Sequence, residues 1–106
     1  MKWIRIFDSI SVATSTISHS TSKLVIIGDH RICVSNVNDQ FYAIKDSCPH
    51  SGQSLSQGKI NYLNEIVCPL HGYRFSLKHG QEGDHKCKDA QTYQVRVDDD
   101  GLFIYI

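Results

Sequence analysis

The sequence predicts an all-β fold in which short antiparallel strands form a β-sandwich or a small barrel. Two features lead to this fold class. Short runs of β-branched and aromatic residues recur along the chain and are separated by turn signals such as Gly28-Asp29, a spacing typical of sandwiches and barrels. No segment keeps a helical apolar repeat for three turns, as an amphipathic helix would. The length indicates a single domain over residues 1–106.

The predicted strands follow one another along the chain, and each ends at a polar turn. They are residues 3–7, residues 23–27, the hairpin of 31–36 with 41–45, the hairpin of residue 60 with 66–67, and the hairpin of 92–97 with 102–106. The stretch 9–22 is rich in Ser and Thr, and we expect a strand with a loop or a partly mobile connection there.

Composition narrows the class of protein. The formal net charge is zero, so no basic excess points to nucleic acid. The N-terminal residues lack the apolar core of a signal peptide, and the longest aliphatic run, residues 24–27, is far too short for a membrane helix. We therefore expect a soluble, cytoplasmic protein with neither a membrane nor a nucleic acid as partner.

Two short motifs carry the chemistry. Cys48-Pro49-His50 and Cys68-Pro69-Leu70-His71 spell C-x-H, seventeen intervening residues and C-x-x-H. Two Cys and two His form the ligand set of the Rieske [2Fe–2S] centre, and they can also hold a structural zinc ion. Zinc motifs usually pair Cys with Cys and His with His, whereas each motif here mixes the two. The spacing therefore favours an iron–sulfur cluster, with a structural zinc module as the alternative.

The segments "FYAIKDSCPHSG", "VCPLHGYRF" and "TYQVRVDDDGLFIYI" closely resemble the Rieske domain family. The resemblance implies the Rieske fold, with both ligand loops at the tip of a cluster-binding subdomain at about residues 46–76. It implies one [2Fe–2S] cluster, in which Cys48 and Cys68 hold one iron and His50 and His71 the other. These four residues are the predicted metal and cofactor ligands, and no catalytic residue is predicted.

Residues beside the ligands indicate the kind of Rieske protein. High-potential members carry a disulfide between the ligand loops, and its positions correspond to Gln53 and Leu70 here. They also place a Ser after the second His-Gly, where this chain has Tyr73. Fewer donors to the cluster predict a potential toward the bottom of the Rieske range. We expect Tyr73 to pack as an ordinary aromatic rather than to shield the cluster, and leave open whether Arg74 meets a partner or closes an internal salt bridge.

The resemblance is strongest to the Rieske-type ferredoxins of bacterial ring-hydroxylating oxygenase systems. It implies a one-electron carrier that takes electrons from a flavin-dependent ferredoxin reductase and passes them to a terminal oxygenase through transient contacts. Such a protein is an electron-transfer component of an oxidoreductase system rather than a stand-alone enzyme. The alternatives are a Rieske-like small subunit of a nitrite reductase or another multi-component reductase, and the zinc module.

Overall fold

Three antiparallel sheets make up the protein, whose computed structural model describes residues 1–106. In spatial order, the first sheet contains β1 (Trp3–Phe7), β10 (Gly101–Tyr105) and β9 (Val95–Asp98). The second contains β2 (Thr21–Ile27), β3 (His30–Val37), β4 (Gln40–Lys45) and β8 (Thr92–Tyr93). The third contains β5 (Lys59–Ile60), β6 (Glu65–Val67) and β7 (Arg74–Ser76), and a short 3-10 turn (Leu55–Gln57) precedes it. This architecture confirms the predicted all-β antiparallel class.

The β3–β4 hairpin shows how local sequence sets the register. Asn38 and Asp39 form its two-residue turn with φ angles of 52° and 66°, the left-handed conformation that a type I′ hairpin turn requires and that Asn and Asp tolerate. Val37 pairs with Gln40 directly across the turn. The predicted strands 31–36 and 41–45 are confirmed; the observed β3 is one residue longer at each end, and the observed β4 is one residue longer at its start.

The stretch after β1 contains a helix, and the expectation of a strand or mobile connection was wrong. Helix α1 (Ile10–Thr16) begins after Ser9, whose Oγ accepts a hydrogen bond from the Val12 N–H at 3.1 Å. Ala13 and Ile17 are buried one helical turn apart. A serine cap stabilises a helix start, and two buried apolar residues are enough to fix a helix this short, although they make no three-turn repeat.

The predicted strand 92–97 is also divided in the structure. Tyr93 pairs with Ala43 of β4, whereas Val95 pairs with Ile104 of β10. Gln94 lies between the two strands. The alternation of apolar and polar residues gave the correct extended conformation but could not show that the chain passes from the second sheet to the first.

Two hydrophobic cores lie on opposite faces of the second sheet. Along β3, Ile32 and Val34 belong to one core and Cys33 to the other, because successive strand residues point to opposite faces. The core on the first-sheet side contains Ala13, Ile17, Ile32, Val34, Phe41, Ala43, Leu102 and Ile104. The core on the third-sheet side contains Cys33, Val37, Ile44, Cys48, Leu55, Ile66, Cys68, Phe75, Leu77 and Ala90. No helix in the structure combines the length and apolar character needed to cross a membrane.

Candidate iron–sulfur site

The first ligand loop, residues 48–53, follows β4 and is closed by two backbone hydrogen bonds. The Cys48 N–H donates to the Gln53 carbonyl at 2.8 Å, and the Gly52 N–H donates to the Cys48 carbonyl at 2.7 Å. Gly52 has a φ of +79°, which a residue without a Cβ adopts at low cost. These bonds turn the chain back on itself and leave the residues between Cys48 and Gly52 at the tip.

The second ligand loop, residues 68–73, repeats the same pattern between β6 and β7. The Cys68 N–H donates to the Tyr73 carbonyl at 2.7 Å, and the Gly72 N–H donates to the Cys68 carbonyl at 3.2 Å. Gly72 has a φ of +74°, and His71 before it has a φ of +72°, an uncommon conformation for a residue with a Cβ. The two motifs thus fold as two copies of one turn, with the His one position later in the second copy.

The structure brings all four predicted ligands together, with the two cysteines buried and the two histidines exposed. Cys48 and Cys68 are only 2% and 1% exposed and belong to the same core. His50 and His71 are exposed, with ring centroids 6.0 Å apart. An inner pair of thiols therefore lies beneath an outer pair of imidazoles.

This arrangement fits two irons better than one metal ion. A structural zinc site needs four donors that converge on one tetrahedral point. No three Cys, His, Asp or Glu side chains of the structure converge in that way. Separate thiol and imidazole pairs match a [2Fe–2S] core in which one iron takes sulfur ligands and the other nitrogen ligands.

Hydrogen-bond donors surround the inner pair of thiols. Burial raises the pKa of Cys48, but the Ser51 hydroxyl and the backbone N–H groups of Ser51 and His50 outweigh burial, and the net pKa is lowered. Burial also raises the pKa of Cys68, and the negative charge on Cys48 raises it further. The backbone N–H of Leu70 lowers this pKa by less than the other two effects raise it, so the net pKa is raised. Donors that stabilise a thiolate also stabilise a cluster sulfur and act on its potential.

Sequence reasoning missed Ser51. Its Oγ lies 3.6 Å from the Cys68 Sγ, and its hydroxyl also lowers the pKa of Cys48. The prediction looked for a hydroxyl donor only at the position of Tyr73. The available signal was a hydroxyl residue inside the first ligand loop, directly after His50.

Tyr73 packs against the core on the third-sheet side, as expected, and it also covers one of the predicted ligands. Its ring stacks on the His50 imidazole with a centroid separation of 4.1 Å and an interplanar angle of 12°. The Lys86 ammonium lies over the Tyr73 ring, 5.2 Å from its centroid. One side chain therefore packs against the core and covers the His50 imidazole.

Arg74 closes internal salt bridges, which resolves the alternative that the sequence left open. Its guanidinium lies 3.0 Å from Asp84 Oδ1 and 3.2 Å from Glu65 Oε1. The bond to Asp84 and the charges of both carboxylates raise the pKa of Arg74. This side chain holds the segment after β7 close to the second ligand loop.

Glu82, which sequence reasoning also missed, stabilises the segment after β7 as well. It is 1% exposed, and its carboxylate accepts backbone N–H bonds from Asp84 at 2.8 Å, Lys86 at 3.0 Å and Arg74 at 3.3 Å. Burial alone would raise its pKa, but these donors outweigh burial and lower it. Nothing in the local sequence separates this buried glutamate from an exposed one.

Comparisons with known proteins agree with this geometry. The chain matches the family described as Rieske [2Fe-2S] domain over residues 8–102. It is 38% identical over 74 residues to the 3-phenylpropionate/cinnamic acid dioxygenase ferredoxin subunit of Shigella flexneri serotype 5b, covering 69% of this chain and 70% of that one. A chain in the complex of reduced oxygenase and oxidized ferredoxin in carbazole 1,9a-dioxygenase is 28% identical, with a TM-score of 0.80 and coverage of 96% and 91%.

Two further solved structures share the fold at lower identity. The ferredoxin of carbazole 1,9a-dioxygenase from Nocardioides aromaticivorans has a TM-score of 0.84 at 23% identity, with 98% and 97% of the two chains covered. A protein described as a small subunit of an NADPH nitrite reductase has a TM-score of 0.81 at 22% identity, with both chains covered completely. From the family match and the ferredoxin subunit relative, this chain belongs to the Rieske [2Fe–2S] family and carries a Rieske-type [2Fe–2S] cluster.

Proposed function

We propose that this protein is a low-potential Rieske ferredoxin that carries single electrons from a flavin-dependent reductase to a terminal oxygenase. In this proposal Cys48 and Cys68 hold one iron of the cluster, and His50 and His71 hold the other. The observation that carries the proposal is the buried thiol pair beneath two exposed imidazoles. The proposal further assigns residues 46–76 to a cluster-binding subdomain of one domain over residues 1–106.

Different residues of the site have different roles in electron transfer. When bound, the cluster takes up and releases one electron. Cys48 and Cys68 keep the sulfur side of the site away from water, and the donors from Ser51 stabilise charge on those sulfurs. His50 and His71 lie at the surface, where a partner can approach the site with only a small interface.

The relatives support the choice of partner. A ferredoxin subunit of a dioxygenase is 38% identical to this chain, and a related ferredoxin chain occurs in a complex with its oxygenase. The flavin-dependent reductase is the electron source that such a carrier needs. The proposal places the protein in the cytoplasm, where thiols stay reduced. Cys33 and Cys87, the two cysteines that are not assigned to the cluster, form no disulfide, which fits that placement.

The low potential rests on the residues around the ligands. Gln53 and Leu70 occupy the positions that carry a disulfide in high-potential members. Ser51 contributes a hydroxyl from the first loop, whereas Tyr73 in the second loop stacks its ring on His50 and donates no hydrogen bond to a sulfur. Neither the nitrite-reductase subunit, which has a fold match alone, nor the zinc module has a specific observation in its favour.

Metal analysis and electron paramagnetic resonance test the proposal directly. We expect anaerobically purified protein to contain about two irons and two sulfides per chain, and to show a Rieske signal after reduction with dithionite. Changing Cys68→Ser should abolish the signal, whereas Cys33→Ser, a buried thiol outside the loops, should keep it. Zinc in place of iron refutes the cluster assignment, and a midpoint above about +100 mV refutes the low potential.

A further inference from the structure

Lysines surround both ligand loops. Lys45 and Lys88 line a cleft beside the first loop together with Cys48 and Pro49. Lys59 lines a second cleft, beside Cys68, Pro69 and Gly72 of the other loop. Lys86 lies over the ring of Tyr73, which stacks on His50. These four exposed lysines, Lys45, Lys59, Lys86 and Lys88, are called the lysine rim below.

The positive charge of the lysine rim is poorly matched by exposed acidic side chains. Lys45, Lys59 and Lys88 form no salt bridge, and Lys86 makes only a long contact of 3.9 Å with Asp84. Asp84 is held more closely by Arg74, at 3.0 Å.

The carboxylates on this side of the molecule are mostly internal. Asp46, Glu65 and Glu82 are buried, and the carboxylate of each accepts hydrogen bonds from the protein. Asp89 is the exposed carboxylate without a salt bridge in the cleft beside the first loop. The surface that a partner would meet around the imidazoles is therefore positive, although the whole chain has no net charge.

The balancing negative charge lies elsewhere. The turn between β9 and β10 contains Asp98, Asp99 and Asp100, of which only Asp98 forms a salt bridge, with Arg96. This turn belongs to the first sheet, which packs on the core that contains no ligand cysteine. The exposed lysines and the exposed Asp turn therefore lie on different parts of the molecule.

We propose that the lysine rim is the docking surface for redox partners and that it selects partner proteins with a ring of carboxylates around their own redox centre. The inference rests on the proposed function, since it takes the imidazole tip as the point of electron exit. Complementary charges raise the rate of encounter and fix its orientation. Leu70, which is 45% exposed in the second ligand loop, supplies an apolar contact.

Small redox probes of opposite charge test the local field without a known partner. Cluster-loaded, dithionite-reduced protein is mixed by stopped flow with hexacyanoferrate(III), an anion, or with tris(phenanthroline)cobalt(III), a cation. Ionic strength is raised from about 0.01 M to about 1 M, which shortens the Debye length from about 30 Å to about 3 Å. Because the chain is neutral, we expect salt to slow the reaction with the anion and not that with the cation.

Two double variants of equal net charge locate the effect. Lys45→Glu with Lys88→Glu changes the rim, whereas Lys2→Glu with Lys78→Glu makes the same change in charge away from the loops. At low salt the rim variant should react at least about tenfold more slowly with hexacyanoferrate(III), and the control at most about threefold, because the interaction falls with distance and screening. Equal slowing in the two variants, or a reaction with the anion that salt accelerates, overturns the proposal.

Retention on a sulfonate cation exchanger at pH 7 gives a readout without electron transfer. The rim variant should elute at lower salt than the control of identical net charge, and equal elution also counts against the lysine rim.

The electron paramagnetic resonance spectrum distinguishes a failure of the proposed function from a failure of the docking surface. A missing Rieske signal refutes the proposed function, whereas a normal signal with no difference between rim and control variants refutes only the docking surface.

Discussion

The lysine above the Tyr73 ring should raise the reduction potential of the protein. The Lys86 Nζ lies 5.2 Å from the Tyr73 centroid, which lies 4.1 Å from that of His50. Reduction adds one negative charge to the site, and a nearby cation stabilises that charge. Changing Lys86→Gln removes the cation while keeping a side chain of similar length, so the midpoint should fall.

The size of the shift follows from Coulomb's law. At roughly 10 Å, two unit charges interact by about 0.4 kcal/mol in water and about 1.7 kcal/mol at an effective dielectric constant of about 20. A tenfold change in a one-electron equilibrium corresponds to about 59 mV. The two interaction energies therefore correspond to shifts in the midpoint potential of about 20 and 70 mV. The Lys86 side chain is 52% exposed, so solvent screening favours the lower limit.

Redox titration at low and at high salt measures this shift. The Lys86→Gln midpoint should lie roughly 20–30 mV below that of the unchanged protein at low salt, and the difference should shrink as screening increases. Lys78→Gln, away from the ligand loops, serves as the control and should leave the midpoint unchanged. A Lys86→Gln midpoint that rises, or that matches the control at low salt, would refute this account of the Tyr73 and Lys86 contact.

Three further substitutions probe the framework of the site. Glu82→Gln should lower the free energy of unfolding by about 1–3 kcal/mol, because an amide nitrogen would face a backbone N–H. Since folding lowers the Glu82 pKa below its ordinary 4.5, the stability from its charge is present above pH 4.5 and is lost as pH falls through the folded pKa. Gly58→Ala should cost about 1–3 kcal/mol and reduce iron content, because the new Cβ would overlap the Val67 carbonyl oxygen. Tyr73→Leu should broaden the electron paramagnetic resonance lines by freeing the His50 ring.

Chemical denaturation, iron analysis and spectroscopy check these outcomes. Asp89→Asn, at an exposed carboxylate, should unfold like the unchanged protein, so an equal loss in both variants would contradict the role given to Glu82. Full iron content and an unchanged unfolding midpoint in Gly58→Ala would contradict the steric argument. Tyr73→Phe keeps the ring and should keep the narrow lines, so broadening in Tyr73→Phe as well would show that stacking is not the cause.

Local sequence was sufficient where the determining contacts are close along the chain. The hairpin turn at Asn38 and Asp39 could be predicted because its conformation depends on those two residues. The four candidate ligands could be chosen because each Cys and its His belong to one short loop, whose spacing is visible in the sequence. Their convergence at one tip followed from the resemblance to a known family rather than from the spacing.

The predictions that failed depend on contacts between distant residues. The division at Gln94 arises because β8 pairs with β4 while β9 pairs with β10, and strand pairing over such separations leaves no local pattern. Glu82 is buried only because backbone groups on both sides of it turn toward one carboxylate. Helix α1 was missed because tertiary packing, rather than a repeated apolar face, stabilises so short a helix.

The arrangement of the two cores has a consequence for how the protein melts. Ile32 and Cys33 are neighbours in β3 but face different cores, so one strand is a wall of both compartments. Loss of β3 from the second sheet would expose both cores at once. Heating should therefore release the cofactor and unravel the far sheet in a single cooperative step, with bleaching of the visible colour and loss of β-structure at the same temperature.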